Sequence, residues 1–400
     1  MIKDNGRINI GKIYFVYLFL VLFLQIIGYS SKGSMLDTLW KAGVIIVTLW
    51  YVIYKTGGRI KSYIIIPILI YIMEQVAALI CSDLISLSSM INIFVVIAMI
   101  YLFMSVSKSG KCFQISDLNW FINAFICLMA YAVIFNFIKN PSSVLGVLSN
   151  KSVYANMMTS FFDNKQTFGM FLFMAFIVSI WGYIINSKKV YIVTAAVFFV
   201  NLFLCLSRTA LFACIAFIGM IAIFSFKSNR KFSIHIIITV AVVFVVAMLI
   251  PVLRTFIMNV VLDTKDTMNA RTNIWDYAFS ALKGNHLLFG YGEGNAYRAM
   301  ESVGYRANTH NGIIQVLMTG GLLKFILYLC VIFKSFVSIR RIKKYNATLS
   351  CVFLATLISV CVFSMGEALV FLDSSAPCVV ASILCIGLPL TVENYYSEEH

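Results

Sequence analysis

His310, in the stretch "RANTHNGIIQVL" (residues 306–317), stands between Asn308 and Asn311 where a polar segment turns apolar. The chain has only four histidines, and an imidazole with an ordinary pKa near 6.5 is the natural proton carrier at a hydrated boundary. A helix cap or a satisfied interfacial residue is the plainer alternative. His286, after Gly284 and before "LLFG", competes with it but reads more as a turn residue. Two arginines offer complementary chemistry. Arg271 opens "RTNIWDYAFSALKG", where Ile274, Tyr277, Ala278, Ala281 and Leu282 recur at helical spacing against Asn273, Asp276, Ser280 and Lys283. This predicts an amphipathic helix, flanked by Trp275 and Phe279 and stopped at Gly284, with Arg271 inside the apolar arc near the helix N-terminus. An inward guanidinium needs an anion or must snorkel to water, and a helix N-terminus favours anions. Together these features suggest a phosphate site; pairing of Arg271 with Asp276 or Asp266 is the alternative. Arg208 in "CLSRTALFACIAF" interrupts an almost continuous apolar run from Val190 to Phe226. Either it marks a tight turn, or the short turn holds its charge against the bundle for a purpose.

Those residues must be positioned by membrane helices. A composition of 61% hydrophobic, 15% aromatic and 12% charged residues excludes an ordinary soluble domain. Runs of about 20 apolar residues cross a bilayer core of roughly 30 Å. Twelve can be read: about 13–30, 36–54, 63–81, 87–106, 118–138, 167–185, 190–206, 209–226, 235–253, 313–333, 348–366 and 374–390. The first follows Lys3, Arg7 and Lys12 without a small-residue cleavage site, so it reads as a retained anchor. The expected fold is an all-α polytopic membrane protein: helices 1–9 in residues 1–253, a large extracytoplasmic loop at 254–312, and helices 10–12 with a cytoplasmic tail in 313–400. The net charge of +15 does not imply nucleic-acid binding, because 18 of the 31 basic residues lie in alternate connections on one side of a twelve-span chain. The positive-inside rule makes that side the cytoplasm. The ten cysteines lie mostly within spans and form no CxxC, so they read as packing residues rather than disulfides or metal ligands. The tail "ENYYSEEH" reads as a frayed end.

The outer face then carries two long loops, 139–166 and 254–312. In the second, Arg254, Arg298 and Arg306 are candidate substrate-binding cations among balancing acids. "GYGEGNAY" (290–297) follows no strand and precedes no nucleotide-binding helix; it reads as a bend or hinge, with Glu293 a candidate acid or base. Within the spans, Lys41, Glu74 and Lys324 are costly unless paired or hydrated, and Glu74 is a possible mate for Lys41.

Chemistry outside the cytoplasm has no ready supply of ATP or sugar nucleotides, and no P-loop is present. A substrate there must arrive activated, as a sugar chain on a lipid diphosphate does. Paired arginines would stabilise the diphosphate leaving group, and a histidine would take the proton of an attacking hydroxyl. The ordered segments "FFDNKQTFGMFLF" (161–173), "LSRTALFACIAF" (206–217), "ARTNIWDYAFSAL" leading to "LLFGYGEGN" (270–295) and "THNGIIQVLMTGGLL" (309–323) resemble the O-antigen polymerase and O-antigen ligase superfamily over roughly residues 160–330. The first 150 residues resemble generic membrane helices.

The resemblance implies a GT-C-like glycosyltransferase of the bacterial cytoplasmic membrane, with no cofactor or metal and an outward-facing site. Its substrate would be an undecaprenyl-diphosphate-linked oligosaccharide, and membrane lipid, a chain-length regulator and a flippase would be its partners. It also implies that Arg208 and Arg271 bind the diphosphate, that His310 assists the acceptor hydroxyl, and that Asn311 and the Gly290/Gly292 turn shape the site. Lys324, where a small or apolar residue is expected, departs from the pattern. Polymerase is the favoured expectation and ligase the second. A polysaccharide flippase, a cell-shape peptidoglycan polymerase and a channel or structural membrane protein are the readings from other classes.

Overall fold

A computed structural model describes residues 10–28, 34–56, 62–106, 115–141, 158–162, 164–225, 265–304 and 309–399, with isolated positions at 234 and 238. The expected span at 235–253 and the candidates Arg254 and Arg306 therefore lie outside the described residues. Among the described residues there are helices and no strands. Among these described residues, eight helices are long and apolar enough to cross a membrane. The described residues thus form an all-helical structure, consistent with a polytopic membrane protein.

The chain divides into two compact units, each assembled from separated segments. The first comprises Met1–Phe121, Asn273–Tyr345 and Ser364–His400. It holds α1 (Ile10–Gly28), α2 (Ser34–Thr56), α3 (Ser62–Ser82), α4 (Leu87–Val106) and the start of α5 (Ile115–Lys139). Later segments add most of α9 (Lys265–Ala281), then α10 (Asn285–Phe289), α11 (Ala296–Ser302) and α12 (Gly312–Ile342). A final helical run comprises α14 (Ala376–Ser382), a π-helical turn at Ile383–Gly387 and α15 (Leu388–Glu399). The second unit comprises Ile122–Thr272 and Asn346–Phe363, with α6 (Lys165–Asn186), α7 (Val190–Leu204), α8 (Arg208–Ser225) and nearly all of α13 (Ala347–Ser364).

Lipid tails are as apolar as phenylalanine, so helices in a bilayer are held by close packing and a few interhelical hydrogen bonds. In the second unit Phe162 stacks on Phe168 and Phe171, Phe173 on Phe363, and Trp181 meets Phe353 edge-on. The Trp181 indole donates to Thr356 Oγ1 at 3.0 Å, and Tyr191 donates to Asn123 at 2.8 Å. Asn164 caps α6 by accepting from the Thr167 amide at 2.8 Å.

In the first unit, α12 is 31 residues long, which as a straight rod would extend about 46 Å, well beyond a bilayer core of roughly 30 Å. It does not run straight. Gly320 (φ −153°, ψ 15°) and Gly321 (φ 61°, ψ −158°) leave helical geometry, so the expected 313–333 span straddles a break. In the final run, Pro389 has no amide to give the Cys385 carbonyl four residues earlier. The Ser335 hydroxyl of α12 donates to that carbonyl instead, and Ser338 donates to the Pro389 carbonyl at 3.2 Å. The chain end is not frayed as expected: it is helical to Glu399, with Tyr396 stacked on Tyr345 and Arg341 donating to Glu393 at 2.9 Å. The physical reason is that the last helix docks along α12.

Candidate functional site

The glycine break in α12 positions the site, because it leaves carbonyls that an undistorted helix would satisfy. The amide of Tyr291 donates to Met318 O at 2.9 Å, and that of Gly292 to Thr319 O at 3.0 Å. "GYGEGN" is therefore a turn seated in the break, more specific than the bend or hinge expected. Gly290 sits there at φ 68°, and a Cβ on it would lie 2.5 Å from the Gly320 nitrogen. No side chain fits between the two backbones.

Within this turn, Glu293 is fully buried and ion-paired with Lys324, one helical turn after the break. Tyr71 donates to Glu293 Oε1 at 3.1 Å, and the Glu293 amide donates to Gln75 Oε1 at 2.8 Å. Lys324 also donates to Thr319 Oγ1 at 2.9 Å. Burial pushes the Glu293 carboxyl up from its ordinary value, while the Lys324 ammonium pulls it back down. Lys324 thus has an account that the sequence lacked: it is the counter-ion of Glu293. The suggested Lys41–Glu74 pair is corrected as well. Lys41 pairs with Asp37 one turn earlier on its own helix, and Glu74 accepts from Gln75 Nε2 at 2.8 Å beside Lys324.

Packed on this lock are Ile274, Ala278, Ala281 and Leu282 of the α9 segment, together with Ala296, Ala299, Met300, Ile314 and Met318. The expected amphipathic helix is present, with two corrections. Tyr277, placed on its apolar face, is 42% exposed. The helix begins at Lys265, so Arg271 lies in its second turn, and the helix-terminus contribution to an anion site falls away. The half-buried guanidinium itself remains the candidate.

At the start of α12 the backbone around His310 is held on several sides. Trp275 Nε1 donates to Thr309 O at 3.0 Å, and Thr309 Oγ1 bonds Gln315 Oε1 at 3.2 Å. Asn311 is the N-cap, accepting from the Ile313 and Ile314 amides at 2.9 and 3.2 Å, while its Nδ2 donates to Met365 O at 3.1 Å. His310 is one of few non-glycine residues at positive φ among the described residues, 46°. Its Nδ1 lies 2.9 Å from Glu367 Oε2, with the imidazole 27% and the carboxylate 11% exposed.

Glu367 was missed by sequence reasoning, although a signal existed. Between Lys344 and Glu393 the charged residues are Glu367 and Asp373, and an acid in so long an uncharged stretch is a candidate in its own right. Its segment is preorganised: the amides of Val370 and Leu372 donate to Cys378 Sγ (3.1 Å) and Ser382 Oγ (2.9 Å) of α14.

Arg208 lies in the second unit as the first residue of α8, after a turn in which Leu206 takes φ 51°. The expected tight turn is present. Gly169 of α6 makes room for it, since a Cβ there would lie 2.6 Å from Ser207 Oγ. Of the remaining candidates, Arg298 is exposed on α11. His286 stacks on Tyr291, with centroids 4.0 Å apart and Nδ1 3.1 Å from Gly290 O, a role in the turn. Among the described residues no group of three or more His, Cys, Asp or Glu side chains could hold a metal ion.

The fold and these polar braces define a multi-pass helical membrane protein with a histidine–carboxylate pair at the mouth of a broken helix. Residues 192–329, about a third of the chain, match the Wzy_C family model, described as O-antigen ligase. This supports the O-antigen ligase and polymerase superfamily to which the ordered motifs pointed. The matched segment includes Arg208, Arg271, Glu293 and His310; Glu367 lies beyond it. No curated protein and no solved structure gives a significant match.

Proposed function

We propose that the protein is a membrane glycosyltransferase of the polymerase type, joining lipid-diphosphate-linked repeat units on the outer face of the bacterial cytoplasmic membrane. The observation that carries this reading is His310, held at left-handed φ with Nδ1 on a carboxylate, which leaves Nε2 to take a proton. In the proposed reaction an acceptor sugar hydroxyl attacks the anomeric carbon of the donor glycan. The bond from that carbon to the diphosphate oxygen breaks, its electron pair leaves with undecaprenyl diphosphate, and the hydroxyl proton passes to His310. Arg208 and Arg271 stabilise the diphosphate through the bidentate geometry of the guanidinium, and Arg254, Arg298, Arg306 and Asn311 remain the proposed substrate-binding set, while Glu293, fully buried against Lys324, belongs to the lock instead.

The sidedness of this reading draws support from three connections that the twelve-span scheme assigns to the outside. The Ser82–Ser89 turn bonds the 291–295 segment through Ser82, Leu84 and Ser89, and the segment after α13 bonds His310 and Asn311. Their meeting in one unit is consistent with one common face.

Purified protein given only lipid-diphosphate repeat units should build a ladder without nucleotide sugar, ATP or added metal, and chelator should leave the ladder unchanged. Arg208→Lys and Arg271→Lys should each lose most polymer while the protein still accumulates, because lysine cannot reproduce the bidentate fork. His310→Ala and His310→Gln should retain little activity, and His286→Ala most of it. A second reading, transfer of glycan to a lipid-A core, is favoured by the description of the matching family as a ligase. If repeats stay monomeric and product forms only when that acceptor is added, the ligase reading replaces the polymerase one.

A further inference from the structure

We propose that Glu367 is the positioning residue of His310: it fixes which ring nitrogen carries the proton and stabilises the imidazolium formed when the ring accepts one. This rests on the reading of His310 as the base. A carboxylate oxygen only accepts, so across the 2.9 Å contact Nδ1 donates to Oε2. The neutral ring is then protonated at Nδ1 and has its lone pair on Nε2, which makes no hydrogen bond among the described residues. When Nε2 takes the hydroxyl proton the imidazole becomes a cation, and the hydrogen bond from a neutral ring to the carboxylate becomes an ion pair at the same atoms, with no side chain having to move.

The surroundings of the pair support this over a chance contact. Glu367 is nine-tenths buried, on a segment anchored through Val370 and Leu372 to α14. The facing backbone at 309–311 is anchored independently through Trp275, Gln315 and Met365. Asn311 Nδ2 bonding Met365 O, two residues before Glu367, ties the two segments directly and sets their separation. A left-handed histidine held from several sides is the kind of local strain that persists when the surroundings over-determine it.

The test uses the full-length protein in lipid nanodiscs, with synthetic lipid-diphosphate repeat units as substrate, and compares Glu367→Gln, Glu367→Ala and His310→Ala. Glutamine keeps the volume and can still accept from Nδ1, so a merely structural residue would tolerate it. The expected result is a kcat for Glu367→Gln lower by at least about tenfold, within the ~10²–10⁴ that a positioned base contributes, with the KM for the lipid substrate within about twofold of wild type. Glu367→Ala should fall further, and Glu367→Gln alone decides if the alanine variant fails to accumulate. Wild-type kcat in Glu367→Gln alongside an inactive His310→Ala would overturn the role of Glu367 and leave His310 as the base. Full activity in His310→Ala would overturn both.

Discussion

The second unit, which holds Arg208, is packed with rings: Phe162, Phe168, Phe171, Phe173 and Trp181, with single hydroxyl or amide bridges between helices. Around the 290–324 lock of the first unit the contacts are polar and backbone-directed: two amides seated in a helix break, a buried ion pair, and Tyr71, Gln75 and Thr319 completing it. The difference reflects what each region must specify. A guanidinium at the end of a tight turn needs only a helix brought close enough, and aromatic packing with one glycine achieves that. A turn inserted into another helix must satisfy every backbone group it exposes, because the apolar surroundings supply no water. Apolar packing degrades gradually when perturbed; an ion pair without water loses everything when one partner leaves.

The largest effect should therefore come from Lys324→Met, which leaves Glu293 buried without its counter-ion at a cost of about 3–5 kcal/mol. Thermal unfolding in detergent should show a pronounced loss of stability, and adding Glu293→Gln should recover much of it. If Lys324→Met alone melts like wild type, the lock is not the strong element of the first unit. In the second unit, Gly169→Ala should cost about 1–3 kcal/mol, since the new methyl meets Ser207 at 2.6 Å. Combining it with Ser207→Gly should relieve most of the loss, and a failure to do so would mean the α6–α8 approach is not set by that contact.

Trp181→Phe tests a single bridge. It keeps the ring packing and removes the bond to Thr356, so a loss of about 0.6–1.7 kcal/mol is expected. A larger loss would show the second unit to be as polar in its energetics as the first. At the low end, Arg341→Ala removes an ion pair whose arginine is 64% exposed, and the unfolding midpoint should stay within what about 0.5 kcal/mol produces.

How much of this was legible in the chain follows from how far each interaction reaches along it. Runs of apolar residues are local, so their length alone declared a helical membrane protein. The split at Ser207–Arg208, the amphipathic segment after Arg271 and the polar entry to the helix at His310 were legible for the same reason: each is written within one or two helical turns. The start of α9 at Lys265 was not, because the residues before Arg271 carry no apolar stripe to announce a helix.

The partners of the charged side chains belonged to tertiary structure alone. Glu293 meets Lys324 across 31 positions, and His310 meets Glu367 across 57. No periodicity links residues so far apart, because what brings them together is the packing of separate helices and the Gly320–Gly321 break. The sequence thus determined that these charges, lying in or beside apolar segments, needed partners, since a bilayer offers them no water; only the folded chain decided which partners they took.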